Sequence, residues 1–138
     1  MFERIQKMGT ADGLAFNVEA IDVAPNTADA HRLILWAQDR EKGTEMATAL
    51  FQAYFSEGKD VSSPEGLADA AADVGFDTDA VEALLGGDAY ADAVRDSQQQ
   101  AQRQGITGVP CYVFNQQHAV MGAQSVEVLT EALDAASE

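Results

Sequence analysis

An α/β chain, mostly helical and ending in a β-hairpin and one last helix, is the fold class this sequence predicts, on three observations. From residue 2 to residue 104, glycines and prolines cut the chain into segments whose apolar residues recur at three- and four-residue steps, the spacing of one helix face. After Gly105 the period changes. Cys111-Tyr112-Val113-Phe114 is a short apolar run of strand-forming residues, Asn115-Gln116-Gln117-His118 is turn-like, and Ala119-Val120-Met121 resumes the apolar character. Both faces of the 111–114 run are apolar, as in a strand covered on two sides within a larger sheet. Two strands alone are marginal in water, so the chain is expected to hold the end of an α/β domain without its opening strands.

Taken in order, residues 2–12 read as a helix with Phe2, Ile5 and Met8 on one side, and 14–25 as an extended connection closed by Pro25. Asn26 or Thr27 is a candidate N-cap, with Asp29 in the first turn where the helix dipole favours an acid. Ala30, Leu33, Ile34 and Ala37 share one face, with Leu35 and Trp36 beside it. Gly43 is read as the stop and Thr44 as the next cap. The following helix carries Met46, Leu50, Ala53 and Tyr54, flanked by Phe51 and Phe55, and ends at Gly58. Ser63-Pro64-Glu65 is a strong helix start: a cap, a proline at the first helical position and an acid in the first turn. Leu67, Ala70, Ala71 and Val74 are its inner face and Gly75 its end. Thr78 is the expected cap of a short helix with Val81, Leu84 and Leu85, closed by Gly86-Gly87. Asp88 is expected to open a long helix through Gln104, with Tyr90, Val94 and Ala101 toward the core. After the hairpin, Ser125 caps a last helix lined by Val126, Leu129 and Leu133.

Composition narrows the function. The 138 residues amount to one domain or part of one, and 46% hydrophobic content is enough for a packed core. A net charge of −15, from 23 acidic against 8 basic residues, repels phosphate backbones and anionic membranes, so neither nucleic acid nor membrane is an expected partner. The acids are spread along the chain, as on a solvated surface. Without a run of 18 apolar residues there is no membrane-spanning candidate, and the start MFERIQKMGTADG lacks a secretory pattern, so a cytoplasmic location is expected. One cysteine cannot close an internal disulfide, and two histidines far apart make no metal site. No cofactor is called for.

Three stretches carry a resemblance. GITGVPCYVFNQQHAVMGAQSVEVL (105–129) resembles the C-terminal part of the DsbA-like thioredoxin family, in its FrnE-like branch. APNTADAHRLILWAQ (24–38) and ALFQAYFSEGKDV (49–61) resemble the helical insertion of the same branch, in the same order. The resemblance implies a thioredoxin-like fold of DsbA type, divided here into a helical insertion domain (1–104) and a C-terminal ββα part (105–138). The N-terminal βαβ unit, where the family keeps its Cys-x-x-Cys, is absent from the chain. The implied reaction of a complete protein is dithiol–disulfide exchange with cysteine-containing peptides or proteins. This chain alone is expected to be inactive, with no catalytic residue in it, because lone Cys111 has no resolving thiol.

The resemblance also implies a use for the proline that opens the strand. Proline cannot donate to a ladder and is confined to strand starts, edges and bulges. In the family the proline of this loop is cis and helps to dock substrate. Carried over, Pro110 is that proline, and the main chain of Val109 binds an extended peptide as an added strand would. Val109 and Pro110 are therefore the candidate substrate-binding residues. Cys111 reads better as a small buried hydrophobe than as a reactive thiol. His31 reads as a packed or capping histidine, and His118 as an exposed turn residue. Trp36, Phe51, Tyr54 and Phe55 could line a groove, but helical spacing favours core packing. Two rival readings stand beside the oxidoreductase: a glutathione-dependent isomerase of the 2-hydroxychromene-2-carboxylate type, and a non-catalytic acidic helical binding module. VMGAQ (120–124) looks more like the redox branch. Finally, the bare hairpin edge invites either self-association burying Tyr112, Phe114 or Val120, or covering by further chain.

Overall fold

The computed structural model describes residues 2–137, the side chain of Phe2 excepted. Along them run α1 (Phe2–Ala11), a 3-10 turn at Val18–Ala20, α2 (Ala28–Gln38), α3 (Gly43–Phe55), α4 (Pro64–Asp73), α5 (Thr78–Gly86), α6 (Ala91–Arg103), β1 (Cys111–Phe114), β2 (His118–Met121) and α7 (Val126–Ser137). Among the described residues no strand precedes β1. The chain forms two compact units, Met1–Val94 and Arg95–Glu138, and α6 begins in one and ends in the other.

The helices start and stop for local reasons. Ser63 caps α4, its Oγ accepting the Gly66 N–H at 3.0 Å, with Pro64 in the first turn. Gly66 has a steric role as well: a Cβ there would stand 2.1 Å from the Asp60 carbonyl oxygen. The C-terminal end of α4 closes with Gly75 at φ 90 and the Phe76 N–H donating to Ala71 O at 3.0 Å.

Several sequence expectations are corrected at element ends. The 14–25 connection is interrupted by the 3-10 turn. The stop of α2 is Glu41 at φ 60, with the Lys42 N–H bonded to Ala37 O at 2.9 Å, so Gly43 is not the stop and Thr44 not the cap. Gly43 instead begins α3, where a Cβ would press on Gln38 at 3.0 Å. Asp77 caps α5 in place of Thr78, because its carboxylate accepts two N–H groups, from Asp79 and Ala80. The long helix opens at Ala91 instead of Asp88, because Tyr90 sits in the left-handed region at φ 65.

In the first unit α2 packs on α3, α3 on α4, α4 on α5, and α5 returns to α2. Leu33 and Ala37, Met46 and Leu50, Leu67 and Ala71, and Val81 and Leu84 meet in one buried cluster. Fully burying each such Leu, Met or Val contributes about 1.5–3 kcal/mol. Trp36 lies against Phe76, ring centroids 4.6 Å apart, and the Arg40 guanidinium stands 4.0 Å from the centroid of the indole ring.

Buried among these apolar residues is Arg32, 6% exposed. Its Nε donates to Ala89 O at 2.8 Å, its Nη2 to Leu84 O at 2.6 Å and Gly87 O at 2.7 Å, and its Nη1 to Asp29 Oδ1 at 2.7 Å. The guanidinium thus satisfies carbonyls at the C-terminal end of α5, where a cation is favoured. Lys42 does the same for α4, its Nζ donating to Val74 O at 2.9 Å.

In the second unit β1 and β2 pair antiparallel, with Cys111 opposite Met121, Tyr112 opposite Val120, Val113 opposite Ala119 and Phe114 opposite His118. His118 is thus the first residue of β2, though exposed as expected. Asn115 and Gln116 take φ 49 and 57, the left-handed pair that suits a tight hairpin turn. Ser125 caps α7, its Oγ accepting the Val128 N–H at 3.4 Å. Helix α7 packs on both strands, and Leu129, Ala132 and Ala136 are its half-buried positions. Val126 and Leu133, expected to line it inward with Leu129, are exposed and flank the half-buried stripe of Leu129, Ala132 and Ala136, which is all that one hairpin covers.

Candidate functional site

The loop between α6 and β1 is built by two local devices. Helix α6 stops at Gly105, φ 76, with the Ile106 N–H bonded back to Ala101 O at 3.0 Å. Pro110 then fixes the entry to β1. The Val109–Pro110 peptide bond is cis, and the Pro110 carbonyl accepts the Gly122 N–H at 2.7 Å, closing the open end of the hairpin. Val109 takes no part in the ladder, whose register begins at Cys111, and it is 91% exposed. Among the described residues β1 pairs with β2 alone, so one edge of β1 carries no partner strand. A main chain free on that side, preceded by an exposed residue, is a surface that an extended peptide can join.

Cys111 stands next to this loop, half-buried and free. That burial agrees with a packed side chain better than with an exposed nucleophile. Phe114 and Val120 are also half-buried, while Tyr112, Val113 and Met121 are exposed. Among the described residues no three His, Cys, Asp or Glu side chains gather into a metal-sized group. No helix among them is long and apolar enough to cross a membrane.

The aromatic residues of the helical unit divide in a way that periodicity did not foretell. Trp36 is buried and Tyr54 and Phe55 are half-buried, as core packing requires, but Phe51 is 64% exposed. His31 is exposed too, neither packed nor capping: it lines an apolar cleft of about 370 Å³ with Pro25, Ile34, Leu50 and Phe51. The Tyr54 hydroxyl donates to Val23 O at 3.3 Å, and Phe16 stacks near Phe55 at 5.5 Å, so the 14–23 segment is held along the end of α3. Sequence reasoning also missed Arg32, whose carbonyl partners lie far away in the chain.

Known proteins resemble this chain over nearly its full length. An uncharacterised protein of Bacillus subtilis (strain 168), YwbO, is 28% identical over 130 residues, covering 94% of this chain and 64% of that protein. The crystal structure of a probable DsbA oxidoreductase from Streptomyces coelicolor superposes with a TM-score of 0.87 at 32% identity, covering 98% of this chain and 58% of the other. The chain thus spans roughly three-fifths of the length of these relatives. The family model described as DSBA-like thioredoxin domain matches residues 1–134, and the chain belongs to that family.

Proposed function

We propose that this chain is the helical and C-terminal ββα portion of a FrnE-like thiol–disulfide oxidoreductase, in which the Val109–Pro110 loop docks the cysteine-bearing segment of a peptide or protein substrate. The observation that carries the proposal is the exposed Val109 immediately before a strand with one open edge. A peptide laid along that edge gains main-chain hydrogen bonds, which hold a mixed disulfide in place while it is attacked. The attacking and resolving thiols belong to a Cys-x-x-Cys outside this sequence, whose one cysteine is Cys111. A cytoplasmic location goes with the reading.

The test uses insulin reduction with dithiothreitol. The 138-residue chain is expected to show no turnover above background. A version joined to a βαβ segment carrying Cys-x-x-Cys should turn over, and Pro110→Ala in that version should lower kcat/KM by roughly tenfold, the scale of one lost docking interaction. Turnover by the short chain, or an indifferent Pro110→Ala, would place the chemistry elsewhere. A segment carrying serine in that position, with glutathione-dependent isomerisation, would favour the isomerase instead.

The same edge supports a proposed self-association of the isolated chain through the hairpin, with exposed Val113 and Met121 joining Tyr112 in the contact. Light scattering should then give a concentration-dependent mass that Val113→Lys reduces to that of a monomer. A monomer at every concentration would refute it.

A further inference from the structure

The segment proposed to dock substrate is tied to the rest of the second unit at a single point. Ile106 bonds back to α6, and the strand register begins only at Cys111. Between them, among the described residues, Thr107, Gly108 and Val109 make no hydrogen bond. Pro110, which has no N–H to give, is held by its carbonyl alone. The donor is the Gly122 N–H, at 2.7 Å.

That N–H belongs to the same planar peptide as the Met121 carbonyl, and in a trans peptide the two point in opposite directions. The other side of the plane is gripped as well: Gln124 Nε2 donates to Met121 O at 2.9 Å. The plane therefore has Pro110 O on one side and Gln124 on the other, and it turns only about the soft dihedrals beside it. One of these is the φ of Gly122, at 83, in a residue with no Cβ to restrict it. The backbone alone does little to fix the tilt, and Gln124 supplies what the glycine does not. A donor on the carbonyl also polarises the amide, strengthening the N–H that Pro110 accepts.

We infer that Gln124 is a positioning residue for substrate docking: through the Met121–Gly122 peptide it fixes Pro110, and with it the main chain of Val109 that the substrate segment joins. This rests on the reading of the Val109–Pro110 loop as the docking site. Loss of the grip leaves Val109 free to move before a peptide binds, and that freedom has to be given up on docking. The effect falls on KM and spares the chemical step.

The experiment has two arms. In the 138-residue chain, NMR hydrogen exchange reads the Gly122 amide with no thiol chemistry involved. Gln124→Met keeps the side chain long and neutral but removes its donor. It should speed exchange at Gly122 roughly fivefold and leave Leu67 and Val81 in the helical unit unchanged. Gln124→Lys, which keeps a donor, should exchange as the parent does. In the chain joined to a Cys-x-x-Cys segment, Gln124→Met should raise the KM for insulin roughly fivefold with kcat held within about twofold, and Gln124→Lys should restore it. In the Pro110→Ala background Gln124→Met should cost nothing further, because both act on one contact. Gln124 is exposed, so neither variant should shift the thermal midpoint. Exchange at Gly122 unchanged by Gln124→Met overturns the inference. So does a KM indifferent to Gln124→Met, or a fall in kcat instead, in a protein where Pro110→Ala still lowers kcat/KM; the docking reading then stands. A joined protein without turnover, or one indifferent to Pro110→Ala, overturns the docking reading and this inference with it.

Discussion

The helical unit and the C-terminal unit differ in how far each closes on itself. In the first, α2 to α5 surround a cluster containing Leu33, Met46, Leu67 and Val81, all fully buried. In the second, no described residue from 95 to 137 is buried, although Tyr112, Val113, Met121, Val126 and Leu133 are all large and apolar. The apolar residues are comparable in kind, and what differs is the number of layers available. Four helices can bury one another's inner faces, whereas a two-stranded hairpin with one helix on it leaves a face and an edge uncovered. The DsbA-like thioredoxin fold is thus represented here by one self-sufficient part and one that ends at an open edge.

Substituting equivalent leucines should expose this contrast most strongly. Leu33→Ala removes a side chain that is 0% exposed, and urea unfolding should show a loss of about 2–5 kcal/mol. Next in size is Arg32→Ala, which strips the carbonyls of Leu84, Gly87 and Ala89 of their donor. Leaving such groups unpaired should cost about 2–3 kcal/mol, with hydrogen exchange accelerating first around residues 84–90. A normal exchange pattern there would mean that water replaces the guanidinium without loss.

A smaller effect is expected in acid. The Ser62 hydroxyl and N–H donate to Asp60 Oδ1, at 2.5 and 2.9 Å, and hold its carboxyl below the ordinary value of 3.8. The ionised form is the one the fold favours, so its contribution is present above 3.8 and is lost as pH falls through the lower folded value. The stability difference between the parent and Asp60→Asn should therefore shrink as pH drops below 3.8; a difference constant across that range would remove the carboxylate from the account. The smallest effect belongs to Leu133→Ala, at a position 52% exposed, which should change stability by no more than about 0.5 kcal/mol. A loss as large as that of Leu33→Ala would mean that the second unit is covered in solution.

Much of this was legible in the sequence because the signals are local. Ser63-Pro64-Glu65 marks a helix start without reference to anything distant, and Gly-Val-Pro before an apolar run marks the entry of a strand. Where two neighbouring residues can both cap, as Asp77 and Thr78 can, the sequence alone does not choose between them; the structure places the two-acceptor contact on Asp77. Phe51 was opaque for another reason: α3 carries Leu50, Phe51, Ala53, Tyr54 and Phe55 almost all round, so periodicity does not say which of them faces solvent. Arg32 was hidden by distance. Neither α4 nor α5 has a basic residue in its own last turn, and the cations serving their ends come from α2 and from the residue after its turn.

The Arg32 contact has a consequence for how such a unit can be carried by another protein. Its guanidinium ties the first turns of α2 to residues 84–89, the points where the chain enters and leaves the four-helix ring. With entrance and exit fastened together, the ring can be spliced between two neighbouring positions of a host fold without prising them apart, which is the geometry that tolerated domain insertions require. Arg32 in this sense is a clasp: it fastens the start of the ring to its end, so a change at this one side chain is felt at both.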